Sequence, residues 1–169
     1  MSRKLITYPN EILSTKAVPV GDIDGSIRDM VRDMSRIMYE NRGIGLAAPQ
    51  VGEGLRVIIV DLSGPDKREG LVTLVNPEIT LKQGECDSEE GCLSVVGYKS
   101  LIKRAEKVRV KAMDLDGNEV FLDADGLLAT CLQHEIDHLD GLLFIDHISR
   151  LKRKFYDKKV ARWLKNKKE

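Results

Sequence analysis

The chain has 169 residues, is 42% apolar, and balances 27 basic against 27 acidic side chains for a formal net charge of zero. That length favours one domain with a substantial core, and the many Leu, Ile and Val exclude wholesale disorder. No run approaches the ~20 consecutive apolar residues that a membrane span needs.

The neutral total hides an asymmetry. Residues 149–169 hold ten Lys/Arg and two Asp/Glu, so an acidic body carries a basic tail. A basic tail suits a solvated helix face or an acidic partner such as a nucleic acid. The first thirteen residues, MSRKLITYPNEIL, contain no apolar block followed by a small-residue cleavage site, so no secretory signal is expected. Three cysteines, Cys86, Cys92 and Cys131, are an odd number and argue against a disulfide framework. A reducing, cytoplasmic location is the expectation.

In chain order, residues 1–25 read as irregular, punctuated by Pro9, Pro19, Gly21 and Gly25. From Ser26 to Asn41, the apolar positions Ile27, Met30, Val31, Met34, Ile37 and Met38 predict one buried face of a helix. Asp24 or Ser26 would cap it, and Gly43 lies just past its end. The period then shortens. Arg56–Asp61, Leu71–Val75, Glu78–Leu81, Val108–Met113 and Val120–Leu122 read as strands, with an Asp116-Gly117 hairpin signal between the last two. Asp125–Leu139 returns to helical spacing, with Asp123 or Asp125 as cap and Gly141 beyond its end. Ile148, Leu151, Phe155, Val160, Trp163 and Leu164 mark a basic amphipathic C-terminal helix over residues 150–169. Strands in the middle with helices at both ends predict an α+β fold, a single domain over residues 1–169 with no internal repeat.

The segment with most chemical content is Gln133–His138, QHEIDH. On a helix, His134 and His138 share one face, one turn apart, and two neutral imidazoles so placed can hold one metal ion. Glu135 is within reach of a water on such a metal. A third ligand is required. A His six residues beyond His138 would serve in the long metalloprotease motif, but that position is Phe144. A distant Glu, as in thermolysin-like enzymes, stays open. Cys92 is the better candidate, because metal ligation explains a free Cys in the polar loop EGCLS, where Gly91 would permit a tight turn. Cys86 lacks such a context, Cys131 reads as a packing residue, and His147 reads as a surface or turn residue.

Three segments, Gly43–Gln50 (GIGLAAPQ), Glu90–Ser94 (EGCLS) and Gln133–His138 (QHEIDH), together resemble the three motifs of peptide deformylases, in the family's order and spacing. The resemblance implies antiparallel or mixed sheets around a central helix that bears HExxH. It implies removal of the formyl group from the N-terminal formyl-methionine of new polypeptides, releasing formate. By resemblance, Cys92, His134 and His138 bind one divalent metal ion, usually ferrous iron (Fe2+), with Zn2+, Ni2+ or Co2+ able to substitute. Glu135 is then the proton carrier, and the Gln50 side chain and Leu93 N–H stabilise the oxyanion. Ile44, Gly45 and Gly91 pair with the peptide as an added strand. Gly43, Ile44, Glu90, Leu127, Thr130, Cys131 and His134 line the methionine pocket. The chain departs from the family pattern at Val96, Lys99 and Thr130, which bears on side-chain preference. A Glu90–Arg104 pair that shapes the loop is a further expectation.

The implied partners are N-formylmethionyl nascent peptides and, through the C-terminal helix, the ribosome, with no membrane or DNA partner. An HExxH metallopeptidase is the enzyme alternative, and a metal-bound RNA-binding module the non-enzyme one.

Overall fold

Asp24 starts the first helix in the computed structural model, which describes residues 3–167. Its Oδ1 accepts the N–H groups of Ser26 at 2.9 Å and Ile27 at 3.2 Å, satisfying two donors that the helix itself leaves free. Helix α1 (Gly25–Glu40) then buries Ile27, Met30, Val31, Met34, Ile37 and Met38, the predicted stripe. Each such side chain contributes roughly 2 kcal/mol on burial. Past its end the left-handed residue is Arg42, with φ 58°, not Gly43. Gly43 is required for a different reason, since a Cβ there would lie 2.9 Å from Leu93 Cδ1.

Five antiparallel strands form the main sheet: β1 (Gly45–Ala47), β2 (Val57–Val60), β3 (Val72–Gln83), β6 (Lys107–Met113) and β7 (Glu119–Asp125). Their spatial order is β1-β2-β3-β6-β7. Strand β2 is buried along its whole length, which is why RVIIVD shows no alternation. A short turn of helix, α2 (Gly64–Lys67), follows it.

The two strands expected at 71–75 and 78–81 are one strand, β3. Its register against β6 shifts between Val75 and Glu78. Asn76 sits at φ 52° and its side chain bonds both the N–H and the carbonyl of Val20, at 2.8 and 2.9 Å. Pro77 has no N–H to give, so this bulge, not a chain break, accounts for the turn-like residues. The strand expected at 120–122 extends over Glu119–Asp125, because β7 pairs with β6 along its whole length.

The second sheet is absent from the sequence reading. Strands β4 (Cys86–Cys92) and β5 (Val95–Arg104) pair as a two-stranded antiparallel ribbon. The acidic run CDSEEG masks β4, whose charged side chains face solvent while Glu90 turns inward. The tight turn expected at Gly91 is at Leu93–Ser94, between the paired residues Cys92 and Val95. Gly91 itself is inside the strand, with the Lys99 side chain 3.2 Å from where its Cβ would be.

Helix α3 (Gly126–Leu139) packs across the main sheet through Ala129, Leu132, Ile136 and Leu139, against Ile58, Val60, Leu74 and Val110. Neither expected cap operates by side chain: Asp125 makes no cap bond, and Asp123 pairs with Arg109 at 2.6 Å. At the other end Gly141 has φ 75° and passes so close to Ser14 that a Cβ would lie 2.8 Å from its carbonyl oxygen.

Helix α4 (Arg150–Asn166) lays Tyr156 and Val160 against Val95, Ile102, Phe144 and Leu13. Lys168 and Glu169 of the expected tail lie outside the described residues. The N-terminal segment forms a short 3-10 turn at Glu11–Ser14 and otherwise runs irregularly. No helix among the described residues is long and apolar enough to cross a membrane.

Candidate metal centre and active-site cleft

The two histidines project from α3 one turn apart, their ring centroids 5.0 Å from each other. Cys92 reaches them from the end of β4, where the ribbon turns. Its Sγ lies 3.3 Å from His138 Nε2, and the three donor atoms of Cys92, His134 and His138 all fall within 4.8 Å of one another. Tetrahedral coordination with metal–sulfur and metal–nitrogen bonds of about 2.3 and 2.1 Å puts such atoms roughly 3.6 Å apart. The trio therefore fits one cation, with three protein ligands and a fourth position open.

A buried chain of charge orients this trio. His134 Nδ1 bonds Glu90 Oε1 at 2.8 Å, which directs Nε2 towards the cation position. The Arg104 guanidinium holds both Glu90 oxygens, at 2.8 Å each, and reaches Asp137 Oδ2 at 2.6 Å. The expected Glu90–Arg104 pair is thus present. His147 bonds the same Asp137 oxygen at 2.8 Å from its place at the surface. Burial alone raises the Glu90 carboxyl, but the bonds from Arg104 and His134 outweigh it and hold the group below its ordinary value. Burial pushes His138 well below its ordinary value, whereas at His134 burial is outweighed by the bonds to Cys92 and Glu90, which hold it well above. Gln133 fixes the helix itself, its side-chain amide bonding both the N–H and the carbonyl of Ala105 at 2.9 Å.

Glu135 is 4% exposed, and its Oε2 is buried without a hydrogen-bond partner. Burial first, then the negative charge of Glu90, pushes its carboxyl up to about 7, against the opposing pull of His134. A carboxyl at that value exchanges protons readily near neutrality. Gly45 makes room for it, since a Cβ there would lie 2.5 Å from Glu135 Oε1 and 3.0 Å from Cys131 Sγ. Burial raises the Cys131 thiol well above its ordinary value, leaving it an inert wall residue.

Gln50 enters from the 3-10 turn Ala48–Val51 that directly follows β1. Its Oε1 accepts from Ala47 N–H at 2.9 Å, and its Nε2 lies 3.0 Å from Ser94 Oγ and 3.4 Å from Cys92 Sγ. These groups line a cleft of about 710 Å³. Gly43, Ile44, Gly45, Gln50, Glu90, Gly91, Cys92, Leu93, Leu127, Thr130, Cys131, His134 and Glu135 all border it, while His138 lies behind. The Thr130 hydroxyl is satisfied by Leu127 O at 3.1 Å. Sequence reasoning passed over Ser94 and Asp137. Each lies inside a segment singled out above, and that position was the available signal.

One thiol and two imidazoles that could hold a cation, with a buried carboxyl on the same helix, are the equipment of a metal-dependent hydrolase. The sequence profile described as polypeptide deformylase matches residues 2–154. A peptide deformylase from Thermodesulfovibrio yellowstonii is 51% identical over 152 residues, covering 90% of this chain and 92% of its own. Another, from Syntrophobacter fumaroxidans, is 48% identical and covers 95% of each. The crystal structure of a Legionella pneumophila peptide deformylase superposes with a TM-score of 0.91 at 44% identity, covering 100% of this chain and 99% of that one. The chain belongs to the polypeptide deformylase family, and its activity is removal of the formyl group from the N-terminal formyl-methionine of polypeptides. The metallopeptidase alternative loses to this match.

Proposed function

We propose that Cys92, His134 and His138 hold a single divalent cation, with ferrous iron as the physiological metal and zinc, nickel or cobalt able to replace it. The convergence of their donor atoms beside the buried Glu135 carboxylate is the observation that carries this reading. Bound there, a divalent cation acidifies water and polarises the formyl carbonyl. Imidazole suits iron, zinc, nickel and cobalt, and a thiolate adds a soft ligand, so the donor set admits all four.

Glu135 takes the proton of the attacking water and later passes one to the departing amine. The Gln50 amide, a neutral donor, and the Leu93 N–H stabilise negative charge on the former formyl oxygen. The substrate backbone pairs as an added strand with Ile44, Gly45 and Gly91, a mode that places few demands on sequence. Gly43, Ile44, Glu90, Leu127, Thr130, Cys131 and His134 wall the slot for the methionine side chain, whose flexible thioether suits an apolar site. All three cysteines are free, which fits a reducing cytosol.

The ribosome is the second partner. Helix α4 exposes Lys152, Lys154, Lys158 and Arg162 together with Leu151 and Phe155, and most of it lies beyond the profile match at residue 154. Such a surface favours a polyanion.

Formate release from a formyl-methionyl peptide by anaerobically iron-loaded protein tests the catalytic reading. Activity is expected with wild type and lost in Glu135→Ala. Cleavage of internal bonds in unformylated peptides, independent of Cys92, would favour a metallopeptidase.

A further inference from the structure

Ser94 is fully buried at the second position of the β4–β5 turn, two residues after Cys92. Its hydroxyl donates to Ile6 O at 2.7 Å and lies 3.0 Å from Gln50 Nε2. The carbonyl of Ile6 can only accept, so it takes the single hydroxyl proton. The Ser94 oxygen is left with lone pairs alone towards Gln50, and the amide must present its NH2 there. At the other side the Ala47 N–H can only donate, so it takes Oε1, at 2.9 Å. Both ends of the amide are therefore keyed in one orientation. With one NH2 hydrogen on Ser94, the second points to the edge of the cleft and donates to Cys92 Sγ at 3.4 Å.

The N-terminal segment locks this arrangement from behind. Ile6 N–H donates to Gln50 O at 2.7 Å, and Tyr8 N–H donates to Ser94 O at 2.8 Å. One stretch of chain thus bonds the backbones of both Gln50 and Ser94 and also receives the Ser94 hydroxyl.

We infer that Ser94 is a positioning residue, whose hydroxyl, polarised by the Ile6 carbonyl, acts with the Ala47 N–H to set the rotamer and flip of the Gln50 amide, so that its second N–H is aimed past Cys92 Sγ at the place of the reacting carbonyl oxygen. This rests on the proposed role of Gln50 in holding the oxyanion. An amide held by the Ala47 N–H alone would swing about that single anchor and aim its NH2 less steadily, and the loss falls on the transition state more than on substrate binding. Serine to alanine removes one oxygen from a tight turn and adds no bulk, so the fold and the three cation ligands are retained.

The test is a double-mutant cycle of Ser94→Ala and Gln50→Ala, at equal metal content, on a formyl-methionyl peptide. Gln50→Ala is expected to lower kcat about 100-fold, as loss of an oxyanion donor does. Ser94→Ala should lower kcat about tenfold, with KM within about twofold of wild type. Adding Ser94→Ala to Gln50→Ala should cause no further loss, because the hydroxyl acts only through the amide. Ser94→Thr, which keeps the hydroxyl, should recover most of kcat. Wild-type kcat in Ser94→Ala, or losses that multiply in the double variant, would overturn the inference while leaving Gln50 as oxyanion donor. Wild-type kcat in Gln50→Ala would overturn both.

Discussion

The Arg104 guanidinium grips both carboxylate oxygens of Glu90 through two 2.8 Å hydrogen bonds, and Glu90 passes that restraint to His134 Nδ1 at 2.8 Å. Both side chains are buried, at 5% and 7% exposure. Arg104→Ala would leave the Glu90 and Asp137 carboxylates without their shared guanidinium, each keeping only its histidine bond. Loss of about 3–5 kcal/mol of stability is expected in urea unfolding of the metal-free protein. Cation affinity should drop about 10–100-fold, since a ligand's orienting partner is released. Arg104→Lys restores the charge but not the two parallel bonds, so it should recover only part of either quantity. Unchanged stability and affinity in Arg104→Ala would show that the pair is incidental.

Gly45 offers a separate probe of Glu135. A Cβ would meet Glu135 Oε1 at 2.5 Å and Cys131 Sγ at 3.0 Å, so Gly45→Ala must displace the carboxylate. A shift of that order costs about 100-fold in rate when the group is a proton carrier. None of the three proposed cation ligands is among the three atoms nearest to the new methyl. The expected result is one metal per chain with kcat strongly reduced, by kinetics alongside metal analysis. Normal kcat in Gly45→Ala would mean that Glu135 tolerates displacement and is not the proton carrier.

Acid stability should depend on Asp61, which is none of the proposed cation ligands. Asp61 is fully buried; it accepts Tyr39 OH at 2.6 Å and the N–H and hydroxyl of Ser63 at 2.8 and 2.6 Å. Burial alone raises its carboxyl, but these bonds outweigh it and the value lies below the ordinary 3.8. The folded state therefore binds fewer protons on this group than the unfolded state does. Its contribution is complete above the unfolded value and is lost as pH falls through the lower, folded one. Tyr39 behaves oppositely. Burial and Asp61 push its phenol up from 10.0 to about 12, so its contribution is complete below 10.0 and is lost as pH rises towards 12. Asp61→Asn should cost about 2 kcal/mol at neutral pH. The gap between wild type and variant should narrow as pH is lowered below 3.8, measured by thermal unfolding across the acid range. A gap that is constant with pH would contradict this.

Charge reversal on α4 separates ribosome affinity from catalysis. Lys158 and Arg162 are exposed on α4 and are not among the residues that line the cleft. Replacing both with Glu should weaken cosedimentation with ribosomes and reduce its salt dependence by roughly one unit of slope per lost phosphate contact. Turnover of a short formyl-methionyl peptide should be unchanged. Equal cosedimentation of variant and wild type would reject α4 as the docking element.

The long amphipathic elements were legible because burial on one face leaves a period. The Met30–Met34–Met38 stripe and the spacing of His134 and His138 are of this kind. The β4–β5 ribbon was not, because its outward residues are charged and its inward Glu90 finds its partners in Arg104 and His134, fourteen and 44 positions away. Pairing across those distances leaves no local pattern. Asn76 and Pro77 hid a continuous β3 for a similar reason, since the Asn76 bonds to Val20 are non-local. At the site, residue types and motif order pointed to Cys92, His134 and His138, whose donor atoms converge. The Ser94 link was invisible because it depends on where Ile6 lies, in a segment with no regular structure.

Cobalt substitution tests the convergence of Cys92, His134 and His138 most directly. The protein loaded with Co2+ without oxygen should bind one ion per chain and show a sulfur-to-cobalt charge-transfer absorption. Cys92→Ala should abolish that band, while Cys86→Ala and Cys131→Ala leave it intact. A band that survives in Cys92→Ala, or binding that needs neither His134 nor His138, would contradict the account at its centre.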